Sequence, residues 1–180
     1  MTVTERQTTR LSARDPRLAP WRAFLLAHAR VVRRLDEELR AEHDLSLAEY
    51  DALLTIAQAP DGRVRMGSLA DQVLLSKSGV TRLIDRLVSD GLVERSTCSA
   101  DARGAEAVLT ATGRARLRDA SRTHLRGIDE HFLAIIDPED LDATERTLNA
   151  LVRHAGAGSA GDPPADCGPV GLEAASPTER

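Results

Sequence analysis

The stretch Ser76 to Arg95, SKSGVTRLIDRLVSDGLVER, sets Lys77, Arg82 and Arg86 beside the short hydroxyl side chains Ser76, Ser78 and Thr81 on one helical stripe. Short polar groups at the amino end of a helix can approach phosphates and base edges. Arg and Lys can reach guanine N7 and O6 or the phosphate backbone. Taken singly, each of these residues reads equally well as the solvated face of an ordinary core helix. Downstream, Arg95 is placed to meet a phosphate. Arg103 is expected on a narrow projection that can enter a minor groove, where the negative potential is strongest, with Asp101 bracing its guanidinium. The plainer reading of Asp101 and Arg103 is a polar hairpin turn. The chemistry on offer is recognition of a polyanion.

These residues need a scaffold, and its pieces follow from periodicity. Val80, Leu83, Ile84, Leu87 and Val88 take the i, i+3, i+4, i+7, i+8 spacing of a half-buried helix that stops at Gly91. A brief helix from Ser68 precedes it across a turn near Leu74 to Ser76, so the pair forms a helix-turn-helix whose second helix can lie in a DNA major groove. LVERSTC and AEAVLT flank the polar tip SADARG and predict the two strands of a wing. Upstream, Ser46 and Glu49 form a capping box opening a helix over 46–58, Pro60 to Gly62 break it, and Arg63 to Met66 predict a small strand. A long amphipathic helix over 18–42 carries Trp21, Phe24, Leu25, His28, Val31, Val32, Leu35 and Leu39. Another runs from about Thr110 to Ile136, and a last one over 139–154.

The fold class expected is therefore mainly α with a small β-wing. Aromatic residues make up 2% of the 180-residue chain, so the core is packed from Leu, Val, Ile and Ala, which favours helices. The formal charge of -4 argues against a nucleic-acid partner only on average: residues 62–118 hold ten basic and six acidic side chains, a net of +4. Cys98 and Cys167 lack CxxC or His spacing, so neither a disulfide framework nor a metal site is signalled, and no cofactor is expected. No Ser/His/Asp set, phosphate-cradling Gly loop or paired carboxylates point to an enzyme. The opening MTVTERQTTRLSARDPR lacks an apolar signal core and no run suits a membrane span, so a cytoplasmic protein is expected.

With this element order, the chain from about Leu35 to Leu117 resembles the MarR family of winged-helix transcription regulators. The resemblance rests on the L-x-x-x-G-L-V-x-R turn at Leu87 to Arg95 and on a wing that runs Asp101, Arg103, Gly104, Val108, Leu109, Thr110 and Gly113. Ala107 stands where the family often has a bulkier apolar residue. The resemblance implies a homodimer, a repressor acting by promoter occlusion, and a small aromatic or phenolic effector bound between the dimer helices and the winged domain. Trp21, His28 and Tyr50 are the residues that would line such a site, the plainer reading being that they are core. His124 and His131 read as interface or core rather than metal ligands.

The domains expected are a flexible arm over 1–17, a dimerisation helix over 18–45, the winged helix-turn-helix DNA-binding domain over 46–110, dimerisation helices over 111–154 and a disordered tail over 155–180. The apolar excess on the terminal helices is more than a small winged domain can bury, which calls for a second subunit, the alternative being an intrachain bundle. Two recognition helices related by a two-fold would lie about one DNA turn, ~34 Å, apart on a pseudo-palindromic duplex. A winged helix used only for protein contact would keep the core stripe without needing Lys77, Arg82, Arg86 and Arg103 all outward. A redox role for Cys98 would need an exposed thiol of lowered pKa, for which Arg95 is the only neighbouring help.

Overall fold

The computed structural model describes residues 11–72, 77–97 and 105–156. Helix α1 (Ala19–His43) follows a short 3-10 turn, Pro16–Leu18. It ends on Asp44 in the left-handed region (φ 52°), whose N–H donates to Arg40 O while Leu45 N–H donates to Leu39 O. This satisfies carbonyls the helix end would otherwise orphan. Helix α2 (Leu47–Gln58) opens on the expected capping box. Glu49 N–H donates to Ser46 Oγ at 3.2 Å, and Glu49 Oε2 accepts from Ser46 N–H at 2.8 Å.

Strand β1 (Arg63–Arg65) leads directly into helix α3 (Met66–Gln72), which begins two residues ahead of the expected Ser68. Helix α4 (Lys77–Ser89) closes on Gly91 at φ +69°, with Leu92 N–H donating back to Leu87 O at 2.9 Å. A residue without Cβ takes that conformation without strain. Strands β2 (Val93–Thr97) and β3 (Ala105–Leu109) pair as the wing requires. The expected hairpin gains a third strand, because β1 pairs antiparallel with β3 to give the order β1-β3-β2.

One core joins these pieces. Leu39 of α1, Leu53 and Ile56 of α2, Leu69 of α3, Ile84 and Leu87 of α4, and Val93 of β2 are all buried within it. Each such side chain contributes about 1.5–3 kcal/mol on leaving water. Ala107 is fully buried in a row with Val64 of β1 and Arg95 of β2.

Helix α5 (Ala111–His131) packs along α1, crossing it closely at Gly127. A Cβ on that glycine would run into Glu38 and Leu35. The helix ends at His131 rather than Ile136, since Phe132 leaves helical backbone (φ -131°, ψ -62°) and a 3-10 turn, Leu133–Ile135, follows. Helix α6 (Leu141–Gly156) starts after a second such turn at Pro138–Asp140. Among the described residues, α1, α6 and the turn after α5 keep apolar side chains outside this packing. Trp21 is 56% exposed, Ile135 77% and Val152 60%, and Phe24, Leu25, Leu133 and Leu151 are exposed with them.

Candidate nucleic-acid interface

Helix α4 sorts its side chains by face. Val80, Leu83, Ile84 and Leu87 are buried in the core, and Thr81, Arg82, Asp85, Arg86 and Ser89 are exposed on the opposite side. Val88, expected in the buried stripe, is exposed instead. It lies 100° of helical turn past Leu87, on the shoulder of the stripe in the last turn, beyond the reach of the core. Lys77 and Ser78 occupy the first two positions of the helix. Ser76, Asp101, Arg103 and Cys98 lie outside the described residues.

Two of the arginines singled out by sequence are held by carboxylates. Arg86 Nε lies 3.1 Å from Glu49 Oε1, and Arg95 Nη2 lies 2.7 Å from Asp85 Oδ1. Glu49 thus serves two elements, one oxygen closing the cap of α2 and the other meeting α4. The second pair joins α4 to strand β2, because Arg95 shares the inward row of Ala107 yet sits on the outer strand next to the helix. Neither anchor was picked out by sequence. Asp85 lies four residues after Thr81 on the polar stripe, a spacing that was visible. In the sequence, Glu49 signals a helix cap alone.

The polar face is set at a fixed angle to α5 by Thr110. Its hydroxyl donates to Gly91 O at 2.8 Å and accepts from Gly113 N–H at 2.9 Å, capping α5 on the turn that ends α4. Gly113 fits there because a Cβ would collide with the Leu92 carbonyl oxygen. On the other edge of the sheet, Arg63 and Arg65 are exposed, with Arg63 Nη1 3.8 Å from Glu106 Oε2. The arrangement presents guanidinium groups and hydroxyls from a rigid helix and strand, chemistry suited to phosphate oxygens and base edges.

The residues proposed for an effector fall into two clusters. Trp21, Phe24 and His28 form a run of rings on the exposed side of α1, with centroids 6.1 and 6.2 Å apart. Tyr50 is buried between α2 and α5, its ring 4.4 Å from that of His124 and its hydroxyl donating to Ser121 Oγ at 3.3 Å. One protomer therefore does not bring Tyr50 together with Trp21 and His28. Burial pushes the Tyr50 pKa up and the His124 pKa down. Along the neighbouring seam between α1 and α5, Thr123 donates to Glu42 Oε2 at 2.8 Å and so accepts from His43 Nε2–H at 2.8 Å, while Arg126 pairs with Glu42 and His131 with Glu38. A shallow cleft of about 260 Å³ between Asp44, Leu45, Asp90, Leu92 and Arg116 contains none of the three expected residues. No group of three or more His, Cys, Asp or Glu among the described residues could hold a metal ion, and no described helix is long and apolar enough to cross a membrane.

The family model described as MarR family matches residues 43–104, from the last residue of α1 to the residue before β3. The fold superposes on AbsC, a MarR family transcriptional regulator of Streptomyces coelicolor, with a TM-score of 0.75 at 29% identity, covering 83% of this chain and 99% of that one. By fold and by its matched segment the chain is similar to MarR family transcription regulators. Sco3205, a second MarR family regulator of Streptomyces coelicolor, solved in complex with DNA, matches at 25% identity and a TM-score of 0.75 over 87% of this chain and 94% of its own. A MarR family regulator of Silicibacter pomeroyi matches at 27% identity and a TM-score of 0.65, over 77% and 94%. No curated protein matches the chain. Within the MarR family frame, α3 and α4 are the helix-turn-helix, the three strands are the wing sheet, and α1, α5 and α6 lie outside it.

Proposed function

We propose that this protein is a homodimeric, non-enzymatic transcription regulator that binds a pseudo-palindromic duplex through α4 and the wing and represses by occluding a promoter. The observation that carries this reading is the division of α4: four apolar residues in the core and an outward face that carries Thr81, Arg82 and Arg86. The existence of a similar chain solved with DNA supports it. Ser76, Lys77, Ser78, Arg95, Asp101 and Arg103 complete the proposed contact set. The exposed apolar faces of α1 and α6 support a second copy as the partner, with the recognition helices about 34 Å apart. A small aromatic or phenolic effector would bind where α1, α2 and α5 meet, near Tyr50, with Trp21 and His28 reaching it only from a second copy. It acts by favouring one spacing of the two helices.

The test is an electrophoretic shift and footprint on the DNA flanking the protein's own gene, repeated at rising salt. Specific protection that weakens steeply with salt is expected, since each phosphate contact releases counterions. Arg103→Ala is expected to lose most of the protection. Failure of the wild-type protein to bind any duplex at low ionic strength, with retained binding to a protein partner, would leave the winged helix as a protein-contact module.

A further inference from the structure

The guanidinium of Arg86, exposed on α4, meets a buried carboxylate. Glu49 is itself only 7% exposed, and the Arg86 side chain is 62% exposed beyond the contact. The carboxylate comes from a different element, α2, and cannot drift. Its other oxygen, Oε2, accepts from both Ser46 N–H at 2.8 Å and Ser46 Oγ–H at 2.7 Å. A guanidinium gripped at Nε by a fixed oxygen keeps one orientation of its plane, whereas an ungripped arginine samples many rotamers. Such a grip costs phosphate affinity, because the neighbouring negative charge offsets part of the cation. It favours a directional contact, because planar two-point recognition of a base edge depends on orientation.

We infer that Glu49 is a positioning residue for DNA selectivity: it holds Arg86 in one orientation, trading non-directional attraction to phosphates for discrimination among sequences. The inference rests on the DNA-binding reading above. It assigns to Glu49 a role separate from capping α2, and the two roles can be parted chemically. A capping box accepts Gln in place of Glu, since the amide oxygen still receives the Ser46 N–H, but an amide carries no charge to hold a guanidinium.

The experiment uses the full chain, with a duplex selected by the wild-type protein from a random-sequence pool as the specific probe and poly(dI-dC) as the non-specific one. For Glu49→Gln, we expect unchanged thermal unfolding and tighter binding to poly(dI-dC). The slope of log affinity against log salt should steepen by about one per protomer, the signature of one additional phosphate neutralised. The ratio of specific to non-specific affinity should fall about tenfold, the scale of one directional base contact. In an Arg86→Ala background, Glu49→Gln should change neither the ratio nor the slope. Arg86→Lys, with Glu49 intact, keeps the charge without the planar fork and should also lower the ratio, which secures the test if Glu49→Gln fails to fold. An unchanged ratio and slope in Glu49→Gln, an effect that persists without Arg86, or an Arg86→Lys variant as selective as wild type would overturn the inference while leaving DNA binding in place. If the wild-type protein selects no sequence from the pool, the DNA-binding reading falls and this role of Glu49 falls with it.

Discussion

Thr110 donates its hydroxyl hydrogen to the carbonyl oxygen of Gly91 at 2.8 Å, tying the first residue before α5 to the turn that ends α4. The same oxygen caps α5 by accepting Gly113 N–H. Replacing Thr110 with Ala removes the cap and leaves the Gly91 carbonyl short of a donor. A loss of about 1–2 kcal/mol in urea unfolding is expected, with Thr110→Ser close to wild type. Equal losses in both variants would show that the threonine methyl group, not the hydroxyl, is what matters there.

Two glycines in helices should respond oppositely to the same change. At Gly113 a Cβ would press into the Leu92 carbonyl oxygen and lie 2.9 Å from Leu109 Cδ1, whereas at Gly67 nothing lies within 4 Å. Gly113→Ala is expected to destabilise by about 1–3 kcal/mol through overpacking against backbone. Gly67→Ala is expected to be neutral or to stabilise by up to about 0.5–1 kcal/mol through lowered chain entropy in the unfolded state. Thermal melts of the two variants side by side decide it, and a stabilised Gly113→Ala would contradict the close approach of α5 to the end of α4.

Acid should weaken the seam between α2 and α5. Burial lowers the His124 pKa below its ordinary 6.5, and its Nδ1 is buried with no hydrogen-bond partner among the described residues, so the folded state favours the neutral ring. The unfolded state then binds the proton more readily. The contribution of the neutral ring is fully present above about pH 6.5 and declines as pH falls below it. Urea midpoints measured from pH 7.5 down to 5.5 should therefore drop. His124→Phe, which keeps a ring against Tyr50 but cannot be protonated, should drop less. Identical pH profiles would place the acid sensitivity elsewhere.

What could be read in the sequence was local or periodic. The Ser46 and Glu49 box, the Gly91 stop and the two faces of α4 each depend on residues within one or two turns of each other, and the structure has all three. What could not be read depended on distant strands and helices meeting. Val64 pairs with Ala107 across more than 40 residues, and no turn between them announces it. The Arg86 contact to Glu49 depends on the angle between α4 and α2, which periodicity does not specify. Val88 failed for a related reason. Spacing places it on the apolar stripe, but whether the shoulder of a stripe is covered depends on the neighbours at the helix end. Periodicity carries α5 past its end at His131 because Leu133, Ile135 and Ile136 continue an apolar pattern that a 3-10 turn also satisfies.

The same apolar residues bear on assembly. Trp21, Phe24 and Leu25 near the start of α1, Leu133 and Ile135 after α5, and Leu151 and Val152 in α6 are all exposed in the single chain. Solitary exposed leucines are ordinary on a protein surface, but aromatic and aliphatic side chains spread over the N-terminal helix and the two C-terminal elements exceed what a monomer usually leaves wet. A second copy joining by a two-fold would cover each patch with its own equivalent, so one substitution strikes the interface twice. Wild-type protein is expected to sediment at about twice the 19.5 kDa chain mass. Trp21→Glu and Val152→Asp, each placing two like charges in the joined surface, are expected to sediment as single chains at micromolar concentration. Operator affinity should fall in step with the loss of the pair, because the second half-site contact is no longer intramolecular. A wild-type protein that sediments as one chain at every concentration would separate these exposed faces from self-association and leave a single recognition helix to account for binding.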